Sequence, residues 1–392
     1  MQLTIDRNQL DSILTKAVTT VANKPIIPSL TDVRLTLDKH NLTVTTSNED
    51  ISLIQTIPVQ DDNHPLQDVQ ADDILLPARY LQKLIKKFTG DTVKFKTTDN
   101  PGMIYVSSGK SKFKLAYQQG SAFPKLPEIG QAQHYQITNQ ALQEIFKQDL
   151  ISASNNEARP ALNGINFNLN PAQHQLRAVA TDSHRLSRTI EGVQELDDSQ
   201  DTINETIPTT SLKALEKITN KYPDDQILDL FHSTEIKQMQ FKVDNLIIYC
   251  RSLDVQYPNT EQLMPKEPNL TIKLDRHAFY QVMDRMSLAS SIDQVANLTV
   301  NPDGQAEIAI DDTKDVRSAQ EPLEADEINF IDKNLQDESF KIAFNIDYIK
   351  DGLKAMTGDT VIISFWESLR SFTITDPDNT DFTYLVTPIR VF

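Results

Sequence analysis

Cysteine is almost missing from this chain: Cys250 is the only one among 392 residues. One thiol excludes an internal disulfide and a thiolate metal cluster, and such usage fits a reducing compartment, so a cytoplasmic address is expected. Glycine is scarce as well, and its ten copies never fall in a G-x-G-x-x-G or G-x-x-x-x-G-K spacing. No backbone loop is therefore on offer to cradle a nucleotide phosphate. The seven histidines never recur as His-x-x-x-His, so neither a metal nor a cofactor is expected. No apolar run approaches the roughly 18 residues of a membrane span. The opening MQLTIDRNQL lacks the basic-then-apolar layout of a secretory leader, and no membrane association is expected. Net positive charge is missing too. At −17 the chain has the wrong sign for a protein whose whole surface grips nucleic acid.

The distribution of that charge matters more than its sum. Residues 191–205 hold six acids and no lysine or arginine, and 303–338 hold twelve acids against Lys314, Arg317 and Lys333. These two stretches account for −15 of the −17. An acidic exterior enclosing a basic inner surface gives this pattern, because a local patch sets the local potential. An acidic protein with ordinary surface helices gives it equally well.

Residues 72–96, DDILLPARYLQKLIKKFTGDTVKFK, carry the densest signal. Leu81, Leu84, Ile85 and Phe88 recur at helical spacing and predict one buried face. Pro77 suits a first helical turn, where its missing N–H is no loss. Arg79, Lys83, Lys86 and Lys87 form a second, cationic face with no carboxylate between Ala78 and Phe88. Thr89-Gly90-Asp91 stops the helix, and the alternation from Thr92 to Lys96 predicts a half-buried strand. Alone, a cationic helix face is an ordinary solvated surface.

The template occurs three times, however. Leu81 aligns with Leu212 and Ile349, at spacings of 131 and 137 residues, and Thr-Gly-Asp-Thr recurs at 89–92 and 357–360. Lys86, Lys217 and Lys354 share one position, and Gln82, Lys213 and Lys350 another. Such spacings are domain-sized rather than those of a short solenoid. Each repeat also opens with a strand and an amphipathic helix: Leu3–Ile5 before a helix over 8–21, then Tyr135–Ile137 and Leu270–Ile272 before their own apolar periodicities. The fold class predicted is α+β, with more strand than helix. Proline marks the linkers, Pro124 and Pro127 closing the first repeat, and Pro258, Pro265 and Pro268 the second. The domains expected are 1–128, 134–258 and 266–392.

Chemistry is harder to find. Thr181-Asp182-Ser183-His184-Arg185-Leu186 contains Ser, His and Asp, but triad members converge from separate elements rather than along one turn. A turn held by Asp and Ser side-chain hydrogen bonds is the expectation there. The acid pairs Asp61-Asp62, Asp72-Asp73 and Asp311-Asp312 are expected in exposed turns. Pro388 cannot donate to a sheet ladder, so the last strand is expected to leave its sheet near that residue, putting Ile389 and Arg390 at a surface.

The threefold repeat, ATDSHRLSR at 180–188, YPNTEQLMP at 257–265 and TYLVTPIR at 383–390 resemble the bacterial sliding clamps, the beta subunits of DNA polymerase III. The resemblance spans the whole chain. It implies three tandem clamp domains, each with two helices packed on antiparallel sheets, closing as a homodimer into a ring. Duplex DNA would pass through the ring without sequence preference, and the replicative polymerase, the clamp loader and other clamp-binding-motif proteins would be tethered to it. No catalytic activity is implied. The resemblance carries DNA contacts onto Lys24, Arg79, Asn156 and Arg159, beside the helix residues Lys83, Lys86, Lys87, Lys213, Lys217, Lys350 and Lys354. Pro160-Ala161 stands where some members carry two aromatics. The peptide groove maps onto Leu162, Thr181, Ser183, His184, Arg185, Leu186, Pro258, Leu263, Ser371, Val386, Thr387, Pro388, Ile389 and Arg390, with Gln262 where some members have arginine. Phe113 would face Leu288 and Ala289 of the other chain; the alternative for these three is internal core. Two readings from other classes stand beside this one: a repeat scaffold that binds peptides but not DNA, and a hydrolase using Ser183 and His184.

Overall fold

A strand running straight into a capped helix opens every repeat. Strand Gln2–Asp6 leads to helix α1 (Arg7–Ala17), and Asp6 Oδ1 accepts from the Gln9 N–H at 2.8 Å. Before the equivalent helices α3 (Asn139–Asp149) and α5 (Arg276–Ser287), Thr138 and Asp275 do the same for Ala141 and Ala278, at 3.2 and 2.7 Å. A side-chain acceptor there satisfies an N–H that the first turn leaves unpaired. The second helix of each repeat, α2 (Ala78–Lys87), α4 (Thr209–Thr219) or α6 (Ile346–Ala355), follows strand Asp72–Pro77, Ile203–Pro208 or Phe340–Asn345. Their starts keep the sequence spacings of the repeat.

The computed structural model describes residues 1–392 apart from 62–64, 128, 131, 157, 197–201, 234, 265–266, 291–293, 313–316, 333–337 and 391–392, and apart from the side chains of 311, 312 and 317. Within it the chain divides into two compact units. One comprises Met1–Gln143, Val193–Gln200 and Thr210–Asp254; the other comprises Glu144–Gly192, Asp201–Thr209 and Val255–Phe392. The division runs through the second repeat because its strands join sheets with both neighbours. In the first unit, Leu246–Arg251 pairs antiparallel with Ile51–Pro58, making a ten-stranded sheet beside a five-stranded one. In the second, Arg185–Gly192 pairs antiparallel with Asn379–Val386, making a nine-stranded sheet beside a four-stranded one. The predicted apolar face of α2 is buried, with Leu81 and Ile85 at 0% exposure. α1 packs on α2, and α5 on α6.

Several local expectations need correction. Pro77 ends its strand and caps α2 from outside rather than entering the first turn. The first helix stops at Ala17 instead of reaching Val21 and tightens into a 3-10 turn, Val18–Thr20. There the Thr19 and Thr20 hydroxyls donate to the Lys16 and Ala17 carbonyls at 2.6 and 3.0 Å, competing with the helical ladder. Asp72 and Asp73 lie on a strand, not in an exposed turn. Asp73 accepts from Arg34 Nε and Nη2 at 2.9 and 2.7 Å, which holds its carboxyl below the usual range, and Asp72 pairs with the Met1 ammonium. Asp311 and Asp312 end strand Ala306–Asp312, again no turn; Asp62 and Pro265 lie outside the described residues. Of the acidic stretches, 197–201, 313–316 and 333–337 fall outside the described residues, and the remainder is strand and connection without helix.

Candidate nucleic-acid and peptide sites

Because Leu81, Leu84 and Ile85 turn inward, the helical period turns Lys83, Lys86 and Lys87 outward, and all three are exposed. Arg79, at the start of α2, donates through Nη2 to the Val21 carbonyl at 2.9 Å and to Asn23 Oδ1 at 2.8 Å. It thereby ties down the segment that presents the exposed Lys24. On α4, Leu212, Leu215 and Ile218 are buried, and Lys213 and Lys217 face out. Arg79, Lys213 and Lys217 line one hollow of about 360 Å³ with Val18, Thr19 and Thr210. Sequence spacing places these cations in two separate repeats; the fold brings them together. Sequence reasoning missed Lys16. Its Nζ lies 3.3 Å from the Tyr222 hydroxyl and 5.1 Å above that ring, and burial, with Lys221 nearby, lowers its pKa. A lysine on the polar side of an amphipathic helix gives no signal of such a contact.

The second unit treats its cations differently. Lys350 on α6 is half-buried, and its Nζ sits 2.6 Å from Asp284 Oδ1 on α5, a hydrogen bond that raises the lysine pKa. Lys350 and the exposed Lys354 both lie over the Tyr280 ring, at 5.8 and 5.5 Å. Asn156 and Arg159 are exposed on the loop before strand Gly164–Asn170. Arg159 Nη1 donates to Ser183 Oγ, so this loop touches the turn that the sequence singles out.

That turn is built around Asp182. Its Oδ1 accepts from the backbone N–H of His184 at 2.9 Å and of Arg185 at 3.0 Å, and its Oδ2 accepts from Arg185 Nε at 3.0 Å. Thr181, rather than Ser183, supplies the second side-chain bond: its Oγ1 accepts from the Ser183 N–H at 3.1 Å and donates to the Arg185 carbonyl at 2.7 Å. Ser183 sits at φ +80°, a conformation most side chains avoid. With Asp182 held by Arg185 and two amides, Ser183 bonded to Arg159, and His184 stacked 6.4 Å from Tyr348, the three do not form a proton relay. Arg185 also reaches Asp351 at 2.6 Å and lies 4.5 Å over Tyr348, so it is a structural clamp of the turn rather than a free rim cation.

Around the turn the predicted groove residues assemble within the second unit. The last strand ends at Val386, as Pro388 predicts; Thr387 then donates to the His184 carbonyl at 2.8 Å, and Ile389 to the Ala343 carbonyl at 2.8 Å. Ser371 Oγ is 3.3 Å from Thr387 Oγ1. Leu186, Val386 and Leu162 are all buried, at 1%, 0% and 8%, so none of them stands open as a wall. Leu186 packs with Val179 and Leu385, against which Tyr257 and Met264 lie partly buried. Leu263, Pro258 and Arg390 are exposed, with Pro388 and Ile389 half-exposed.

Phe113 and Leu288 are 39% and 78% exposed, which removes the internal-core reading for both, whereas Ala289 packs partly against the core of the third repeat. Phe113 lies on edge strand Ser111–Ala116, its ring 5.7 Å from Phe88. Among the described residues no helix is long and apolar enough to cross a membrane.

Likeness to known proteins extends along the whole chain. Family models for the DNA polymerase III beta subunit match consecutively: the N-terminal domain over 1–127, the central domain over 136–259 and the C-terminal domain over 261–390. The beta sliding clamp of Staphylococcus aureus is 28% identical over 394 residues, covering 100% of both chains. The crystal structure of the DNA polymerase sliding clamp from Bacillus subtilis superimposes with a TM-score of 0.91 at 27% identity, covering 100% of each chain. That of the DNA polymerase III beta chain from Streptococcus pneumoniae gives 0.89 at 28%, with the same coverage. This chain, three tandem clamp domains of helices on antiparallel sheets, belongs to the DNA polymerase III beta-subunit family, the sliding clamps that act in replication as DNA processivity factors and not as enzymes.

Proposed function

We propose that two copies of this chain close into a ring around duplex DNA and carry the replicative polymerase, the clamp loader and other peptide-bearing partners on the groove around Asp182. One observation carries the closure. At each internal junction of the repeat, equivalent strands pair antiparallel: Ile51–Pro58 with Leu246–Arg251, and Arg185–Gly192 with Asn379–Val386. By the same equivalence Arg317–Leu323 of the third repeat and Ser111–Ala116 of the first are left as sheet edges. An open edge is a template for another strand, and a second copy supplies each edge with its counterpart. A two-fold assembly satisfies both edges at once. Phe113, Leu288 and Ala289 lie beside that contact.

DNA is held by Lys24, Arg79, Asn156 and Arg159 and by the lysines of α2, α4 and α6. Phosphate contacts carry no sequence information, which sliding requires, and enclosure supplies the retention. The groove takes short peptides with apolar side chains over the Leu186–Val386 floor, beside Leu162, Pro258, Leu263 and Ile389. The domains are 1–128, 134–258 and 266–392, and the protein works in the cytoplasm.

The test is topological. Protein loaded onto a closed circular plasmid stays bound through gel filtration and is released when the plasmid is cut once. A peptide scaffold or a simple DNA binder is indifferent to the cut, and that indifference sinks the ring. Removing 387–392 abolishes polymerase stimulation while native mass spectrometry still finds the dimer; surviving stimulation puts the groove elsewhere.

A further inference from the structure

The turn at 181–186 has a twin in the first unit, built on the same backbone hydrogen bonds. Asn48 Oδ1 accepts from the N–H of Asp50 at 3.1 Å and of Ile51 at 2.9 Å, as Asp182 does for His184 and Arg185. Ser47 Oγ accepts from the Glu49 N–H at 3.2 Å, as Thr181 does for Ser183, and Glu49 sits at φ +81° where Ser183 sits at +80°. Arg251 donates its N–H to the Asp50 carbonyl at 2.8 Å, as Thr387 does to His184. Leu30 bonds back to Ile27 at 3.1 Å as Leu162 does to Arg159 at 3.0 Å, and Pro124 follows Phe123 as Pro258 follows Tyr257.

Beside this twin lies a hollow of about 470 Å³, walled by Ile27, Leu30, Pro124, Leu126 and Ile236. Ile27 is 39% exposed there. The chemistry at its edge differs from that of the second unit. Lys125 and Arg251 are exposed and make no ion pair among the described residues, and Glu49 is the acid among the lining residues. Gln238 also lines the hollow and is 8% exposed.

We infer that this hollow is a second docking groove, for a linear peptide of a partner protein that carries an apolar anchor and an acidic flank. The anchor enters between Ile27, Leu126 and Ile236, and the acidic flank meets Lys125 and Arg251. Peptide recognition of this kind combines an apolar side-chain pocket with a charged rim that reads an acidic motif. The inference rests, by internal repetition, on the reading of the second-unit turn as a peptide groove. It adds a site of different specificity, because Ile51 and Arg251 replace Arg185 and Thr387.

The test uses the full-length protein and a fluorescein-labelled hexapeptide of two glutamates followed by leucines. Isothermal titration into wild type finds two peptides per chain. Ile27→Asp combined with Arg251→Glu leaves one, and Leu263→Asp, in the other groove, also leaves one. A stoichiometry that Ile27→Asp with Arg251→Glu does not change, or no binding at millimolar peptide, overturns the inference. Binding lost in that variant but insensitive to Leu263→Asp supports it and instead faults the second-unit groove.

Discussion

Lys213 on α4 and Lys350 on α6 occupy the same position of the repeat, yet Lys213 stands exposed in the first unit while Lys350 is half-buried in the second, 2.6 Å from Asp284. The two turns differ in the same sense. Asn48 holds the first with two neutral hydrogen bonds, whereas Asp182 holds the second with a charge that also engages Arg185, which in turn engages Asp351. At this one helix position, then, the lysine has no ion pair among the described residues of the first unit and is paired with a carboxylate in the second. A phosphate gains most from a cation with no carboxylate to leave, since a paired lysine must break one contact to make another. DNA contact is therefore expected to weigh on the first unit.

The largest effect that follows is on DNA. Lys86→Glu with Lys217→Glu lowers plasmid loading by on the order of tenfold at moderate salt, while Lys350→Glu with Lys354→Glu lowers it by about threefold; loading assays across a salt series measure both. Equal losses break the comparison, and exposed helix positions leave folding intact in either case. Next, Asp182→Ala costs about 2 to 3 kcal/mol by chemical denaturation, because Arg185 loses a partner as two amides lose their acceptor, whereas Asn48→Ala costs about 1 kcal/mol.

A third contrast concerns pH. In the second unit, burial, with Glu144 and Asp381 close by, pushes the Glu191 carboxyl up to about 7. A raised acid favours the folded state only while protonated, so its unfavourable contribution grows as pH rises from the ordinary glutamate range through about 7. Glu191→Gln accordingly raises stability at pH 8 by on the order of 1 kcal/mol, discounted for partial exposure, and leaves it unchanged at pH 4. Melting curves at the two pH values check the sign. The smallest effect is at the paired positive-φ residues. Glu49→Gly stabilises by about 0.5 kcal/mol through relief of the left-handed conformation, while Ser183→Gly gains less because Arg159 loses its acceptor; denaturant midpoints of the two variants rank them.

Much of the fold is legible in the chain. The buried face of α2, the Thr89–Thr92 break and the departure of the last strand at Val386 each follow from periodicity or from a residue with one available geometry, such as proline. The turn at Asp182 is legible as a turn, but its second holder is threonine where the sequence suggests serine, since Thr181 and Ser183 offer the same hydroxyl and only the chain path tells them apart. Asp72-Asp73 misleads because paired acids look like turn residues until Arg34 is found on the neighbouring strand.

By itself the sequence determined the modular plan: three copies of a strand-and-helix unit, what each buries, and which helix faces carry lysine. Those features depend on local period and composition. Tertiary structure alone decided which lysines are free, which sheet edges stay open, and that Asn48 and Asp182 shape the same turn. Lys350 meets an acid 66 residues away, and Arg185 one 166 away. Electrostatic partnership at such separations is set by how strands and helices pack, and no spacing along the chain encodes it.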